Sequence, residues 1–186
     1  MGDDSTLDLS RDFLDLATQY YAAGRLAVHS NVMPVGANLL HHALEMYLKA
    51  HLCETVSAGV LKNDIGHSLS RAWDKFKNQV ADSSIDRFDS VIAELNRFED
   101  LRYPDKVSPF AACVIWSSGT PDHVKIHTRD AHLAEYRLNL WSIDQLVEAI
   151  IEKSGINIEF CKNTLNSDAI SILSRDNPSA LWEQSK

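Results

Sequence analysis

A chain of 186 residues, 45% hydrophobic and 24% charged, has the makeup of one globular domain with its own core and is short for two. Its formal net charge of −8 excludes a protein that coats nucleic acid or anionic membrane by bulk charge alone. No apolar run approaches the roughly 18 to 20 residues that cross a bilayer, so no membrane association is expected. The acidic, polar start MGDDSTLDLS is unlike a secretion signal, and three widely spaced cysteines (Cys53, Cys113, Cys161) fit reduced, buried thiols, so a cytoplasmic setting is expected.

From about Asp8 to His29 the apolar residues Leu9, Phe13, Leu16, Ala17, Tyr20, Tyr21, Ala27 and Val28 recur with helical spacing. Ala22, Ala23, Gly24 and Ala27 keep one side of that helix small, which lets a neighbour approach closely. Ser30, Asn31 and Pro34 mark a short turn, so a second helix over Val35–Cys53 should run back antiparallel to the first. Its apolar residues Leu40, Ala43, Leu44, Tyr47, Leu48 and Leu52 keep the i, i+3, i+4 rhythm, and Pro34 suits a first helical turn. This helix carries an unusual polar load: His41, His42, Glu45, Lys49 and His51. Glu45 and Lys49 lie four apart in the favourable acid-before-base order.

A loop is expected after Glu54, through Ser57, Gly59, Asn63, Asp64 and Gly66. A third helix follows over Ser68–Val80, with Leu69, Ala72, Trp73, Phe76 and Val80 inward. Asp82, Ser83 and Ser84 offer a cap for a fourth helix, about Ile85 to Arg102, which Pro104 ends. Residues 105–141 break the rhythm. Ala112–Trp116 and His123–His127 flank a turn cluster and read as a β-hairpin; Tyr136–Leu140 reads as a third strand or, over 129–140, as helix. Ser142 and Gln145 form a capping-box signature before Leu146, Val147, Ile150 and Ile151, and Gly155 closes that fifth helix. The extension 156–186 holds one short helix, Ser167–Leu173, and then a polar end. The fold class is therefore mainly α: a single domain over 1–186, an up-and-down bundle of about five helices (8–104 and 142–155). A small β-hairpin insertion (105–141) precedes the fifth helix.

Three pieces stand in a suggestive order: YYAAGRLAVHS with HHALEMYLKAHL, then IGHSLSRAWDKF, then FEDLRYPD. Over roughly residues 8–105 they resemble the HEPN domain, a helical bundle of prokaryotic toxin–antitoxin pairs and of partners of nucleotidyltransferases. Catalytic members of that family cleave RNA without metal, using an arginine followed four to six residues later by a histidine. The arginine steadies the scissile phosphate and the histidine moves a proton. Here Arg102 is followed by Tyr103, Pro104, Asp105, Lys106, Val107, Ser108 and Pro109, and the next histidine is His123. The resemblance therefore implies the non-cleaving branch, whose members bind nucleotides or partner proteins.

Five residues are the candidate ligand contacts: Glu45, Lys49, His67, Arg102 and Tyr103. Lysine and arginine suit phosphate oxygens, arginine in bidentate fashion, and a carboxylate among them fixes their positions. The plainer alternative makes Glu45 and Lys49 a solvated or dimer-facing flank, His67 a loop histidine, and Arg102 a partner of Glu99, Asp105 or Glu45. His123, His127 and His132 make no metal set, since Lys125 shares the strand face and no carboxylate or cysteine completes it. Cys113, in an apolar run, reads as an inert thiol. No catalytic residue, metal or cofactor is expected, and no Gly-rich phosphate loop exists for a kinase or ATPase of standard design. The expected function is a non-catalytic HEPN-like binding module, a homodimer that takes a nucleotide, an RNA segment or a partner protein. Two alternatives stay open: a metal-independent RNA-cleaving enzyme with a rearranged base such as His67 or His42, and a purely structural dimerisation domain.

Overall fold

The computed structural model describes residues 4–98, 112–116 and 135–183. Two long helices, α1 (Asp4–His29) and α2 (Met33–Leu52), run side by side and antiparallel, as the short turn between them requires. They meet at two glycines. A Cβ on Gly24 would lie 2.9 Å from Leu40 Cγ, and one on Gly36 would lie 2.9 Å from Val28 Cγ2 and 3.3 Å from the Gly24 carbonyl. Helix backbones this close leave no room for a methyl group at either position. Pro34 sits in the first turn of α2, where its missing N–H costs nothing.

α2 is the hub. Its residues Ala37, Leu40, Ala43, Leu44, Tyr47, Leu48, Ala50 and Leu52 are at most 1% exposed. It packs against α1, α4 (Leu69–Val80), α5 (Asp89–Arg97), α6 (Leu140–Ser154) and the first strand. α4 starts at its Ser68 cap and turns Leu69, Ala72, Trp73 and Phe76 inward, as its spacing dictates. The bundle and its mainly α class are as the periodicity implies.

Four local features differ from the sequence expectation. The stretch after Glu54 is not a plain loop: Ser57 caps α3 (Ala58–Val60), which widens into a π-helical turn over Leu61–Ile65. The fourth helix opens as a 3-10 turn, Ser83–Phe88, with the Asp82 side chain accepting from Ser84 N–H, before α5 begins. Asn139, not Ser142, caps α6, its side chain accepting from Trp141 N–H at 3.0 Å; Ser142 and Gln145 lie inside the helix. Asn139 won because the helix starts at the last residue of the preceding strand, leaving no loop for Ser142 to end.

The fourth difference concerns the C-terminal extension, which is packed structure. α7 (Ile158–Asn163), α8 (Ser167–Ser174) and a 3-10 turn (Ala180–Trp182) fold back on α1. Cys161, Leu173 and Trp182 are 0% exposed and belong to the main core.

Strands β1 (Ala112–Trp116) and β2 (Glu135–Asn139) occupy the first and third expected strand positions and pair in parallel, Ala112 opposite Glu135 and Trp116 opposite Asn139. The expected strand His123–His127 and the turn before it lie outside the described residues, as do His132 and the end of the fourth helix from 99 to 104. β2 joins the bundle through Tyr136, whose ring meets Phe98 edge-on at 5.4 Å. Among the described residues, no helix is long and apolar enough to cross a membrane.

Candidate functional site

The polar load of α2 points into the protein. His41 is 1% exposed, Glu45 0% and Lys49 7%, so the flank expected to meet solvent or a second copy is largely buried. Glu45 sits on the core side because the 3.6-residue rhythm that buries Ala37, Leu40, Ala43 and Leu44 also covers its position. A buried carboxylate must be matched, and three groups match it. Lys49 Nζ donates to Glu45 Oε1 at 2.6 Å, His67 Nδ1 lies 3.1 Å from the same oxygen, and His42 Nδ1 lies 3.3 Å from Oε2. A carboxylate only accepts, so both histidines carry their proton on Nδ1. Burial pushes the Glu45 carboxyl up, but the hydrogen bonds from His42 and Lys49 and the charges of Lys49 and His67 outweigh it and hold the group at about 2.

His67 reaches Glu45 across 22 positions of chain because of the turn before it. The π-helical turn ends with Gly66 N–H donating to the Leu61 carbonyl at 3.1 Å, and Gly66 adopts φ +56° and ψ −125°. That region is open only to glycine without strain. The reversal delivers His67 over α2 and lets Ser68 cap α4, Arg71 N–H donating to its hydroxyl at 3.3 Å. The histidine side chain stays 73% exposed.

Beside this cluster lies a half-open cleft of about 220 Å³. Leu9 and Phe13 of α1 form one wall, Lys49 of α2 is at its base, and Ala58, Leu61, Lys62, Gly66 and His67 form the other wall. The cleft is mostly apolar, with its cationic groups on one side. Lys62 is exposed at the rim. Of the five candidate contacts, Glu45, Lys49 and His67 therefore converge. Arg102 and Tyr103 lie outside the described residues. Among the described residues, no cluster of histidine, cysteine or carboxylate side chains has the geometry to hold a metal.

Two residues that belong to the cleft, Phe13 and Lys62, carry no signal in the sequence that separates them from ordinary helix and loop positions. A second buried polar cluster also went unforeseen. Arg25 and Asp144, both 0% exposed, form an ion pair, and Tyr21 donates to Asp144 at 2.6 Å. Arg25 also donates to the carbonyls of Ile172, at 3.2 Å, and Arg175. Asn177 donates to Tyr21 Oη at 3.1 Å and to the Leu173 carbonyl at 2.7 Å. This buried network ties α1 and α6 to the C-terminal segment, so it is a structural joint. Cys53 and Cys161 are buried free thiols, pushed up by burial and hence poor nucleophiles.

Compared with protein-family models, curated proteins and solved structures, the chain matches none.

Proposed function

We propose that this protein is a non-catalytic binding module of the HEPN-like kind, a homodimer that takes a nucleotide or a short RNA segment in the cleft between α1, α2 and the turn at Gly66. One observation supports this above the rest. Lys49 and His67, separated in sequence and both held by the buried Glu45, are brought to one recess that also has apolar walls. Concave, mostly apolar sites with a few convergent polar groups are where small ligands bind.

In this reading Lys49 and Lys62 attract an anionic ligand, and Glu45 fixes Lys49 and His67 in place. Arg102 and Tyr103 are assigned to the same ligand by the family resemblance, the arginine on phosphate and the tyrosine stacking on a base. Catalysis is not part of the proposal. The arginine–histidine spacing of the cleaving family members is absent, and His67 spends its Nδ1 proton on Glu45. The homodimer is proposed on a stripe along α1 and its C-terminal end that, among the described residues, no other element covers. Asp12, Leu16, Gln19, Ala23, Leu26 and Ser30 recur every three to four residues and are all exposed, Leu16 by 44% and Leu26 by 49%.

Thermal unfolding of the full chain with and without ATP, nucleoside monophosphates and a short single-stranded RNA tests the ligand. Stabilisation lost in Lys62→Glu and in Arg102→Ala supports the reading, and no shift with any of these ligands sinks it. Light scattering of the purified protein, against a Leu16→Glu/Leu26→Glu variant, tests the dimer.

A further inference from the structure

The base of the cleft narrows the class of ligand it takes. Lys49 is 7% exposed, and its ammonium carries three N–H donors. Among the described residues it has one acceptor, Glu45 Oε1. A desolvated ammonium with donors left over favours a further acceptor beside it, and the cleft is the open space there. His67 is placed differently: its Nδ1 proton goes to Glu45, which leaves Nε2 as an acceptor. Lys62 adds a second cationic group at the rim. Glu45 balances Lys49, so Lys62 leaves the recess net positive in a chain whose total is −8. The opposite wall offers no polar side chain. Leu9 and Phe13 present apolar surface, one of them a ring, and Leu61 adds apolar surface on the side of Lys62 and His67.

A ligand that satisfies both walls has an oxyanion at one end and a flat apolar body at the other. The N–H donors of two separate ammonium groups, Lys49 and Lys62, favour a tetrahedral head with oxygens in several directions over a planar carboxylate with two. The space is small. At about 220 Å³ the cleft falls below the ~300–1,000 Å³ typical of pockets for drug-sized ligands. It accommodates one phosphate and one ring, and not a triphosphate chain with its nucleoside. Building on the reading of this cleft as a ligand site, we propose that it selects a single phosphate ester carried on a flat ring system. The phosphate lies on Lys49 and Lys62, and the ring lies between Phe13 and Leu61.

Calorimetric titration of the full chain with phenyl phosphate, inorganic phosphate, phenol, ATP and a short single-stranded RNA separates the parts of the claim. Phenyl phosphate is expected to bind at least about tenfold tighter than inorganic phosphate or phenol, because it alone covers both walls. Lys62→Glu, at an exposed position, should weaken phenyl phosphate by about tenfold or more and leave phenol unaffected. Phe13→Ala should bring phenyl phosphate down to the level of inorganic phosphate. Equal binding of phenyl phosphate and inorganic phosphate overturns the ring half of the proposal. ATP or RNA binding tighter than phenyl phosphate overturns the single-phosphate claim and leaves the broader binding reading standing. Absence of binding by every ligand, ATP and RNA included, overturns both.

Discussion

Removing the carboxylate of Asp144 should strand a guanidinium in the core. Arg25 and Asp144 are both 0% exposed, and the ion pair is the charge balance of the site. In Asp144→Ala, Arg25 keeps the carbonyls of Ile172 and Arg175 but has no counter-charge, and the Tyr21 hydroxyl loses the acceptor it reaches at 2.6 Å. Breaking a buried pair from one side costs about 3–5 kcal/mol. That is a large fraction of the ~5–15 kcal/mol by which a domain of this kind is stable. Taking out both charges should cost less than the sum of the two single losses. Arg25→Met/Asp144→Leu fills the same space with apolar atoms, and the remaining penalty is the unpaired carbonyls and the Tyr21 hydroxyl, about 1–3 kcal/mol each at most. Urea unfolding at neutral pH, read by shift of the midpoint at constant slope, measures the four proteins of the cycle (parent, Arg25→Met, Asp144→Leu and the double variant) with Asp144→Ala beside them. Backbone amide exchange should also show residues 172–182 losing protection in Arg25→Met while α4 and α5 keep theirs. Asp144→Ala losing under ~1 kcal/mol, or the two single losses adding to within ~0.5 kcal/mol in the double variant, would refute the reasoning.

Three further substitutions test how the fold is built. Asn139→Ala should cost about 1 kcal/mol through loss of the α6 cap, whereas Ser142→Ala should be close to neutral; the reverse order in urea midpoints would return the cap to Ser142. Gly24→Ala gains up to ~1 kcal/mol of helix propensity yet should still destabilise, because the new methyl meets Leu40 Cγ at 2.9 Å and Leu40 N at 3.1 Å, and overpacking of this kind costs about 1–3 kcal/mol; a raised melting temperature would contradict it. Trp182→Ala should lose about 3–5 kcal/mol by emptying a fully buried site. Trp182→Phe should lose far less, since the buried indole N–H has no acceptor among the described residues; chemical unfolding of both variants compares them.

What the sequence makes legible follows from the range of the interactions. Helical spacing is a local property, so Leu40–Leu44–Leu48 and Leu69–Trp73–Phe76 mark their own inward faces, and Gly24 marks a close approach. Glu45 and Lys49 are one helical turn apart, so their pairing is visible as well. The burial of that pair is less visible, because a charged residue on an apolar face reads as its edge until the covering element is known. Here the cover is the 58–67 segment, whose π-helical turn depends on a hydrogen bond from Gly66 to Leu61 that no periodicity announces. Arg25 and Asp144 were illegible for a stronger reason. Each looks like an ordinary surface charge on its own helix, and only the folding of the 167–182 segment over α1 removes both from water. Trp182, nine residues beyond the expected helix Ser167–Leu173, was hidden in the same way.

Glu45 links the site to the stability of the fold, and acid should reveal the link. Its carboxyl is held at about 2 against an ordinary 4.5, a gap worth about 3 kcal/mol at ~1.4 kcal/mol per unit. Because the folded value is the depressed one, this contribution is present in full above the unfolded value of 4.5 and is lost as pH falls toward about 2. Glu45→Gln lacks it. The variant should be less stable than the parent by up to about 3 kcal/mol at neutral pH, and the two should converge as pH drops from 4.5 to 2. A difference that stays constant over that window would show that the carboxylate's charge is not what its neighbours stabilise. The same substitution should act in the opposite direction on ligand binding. Glu45 takes one Lys49 donor and places a negative charge directly behind the base of the cleft, so glutamine frees the ammonium and removes a repulsion. Phenyl phosphate should therefore bind Glu45→Gln more tightly than the parent while the fold itself weakens. A structural defect that merely loosens the cleft would lower both, so titration and unfolding of this one variant distinguish a charge held in balance from a site that has fallen apart.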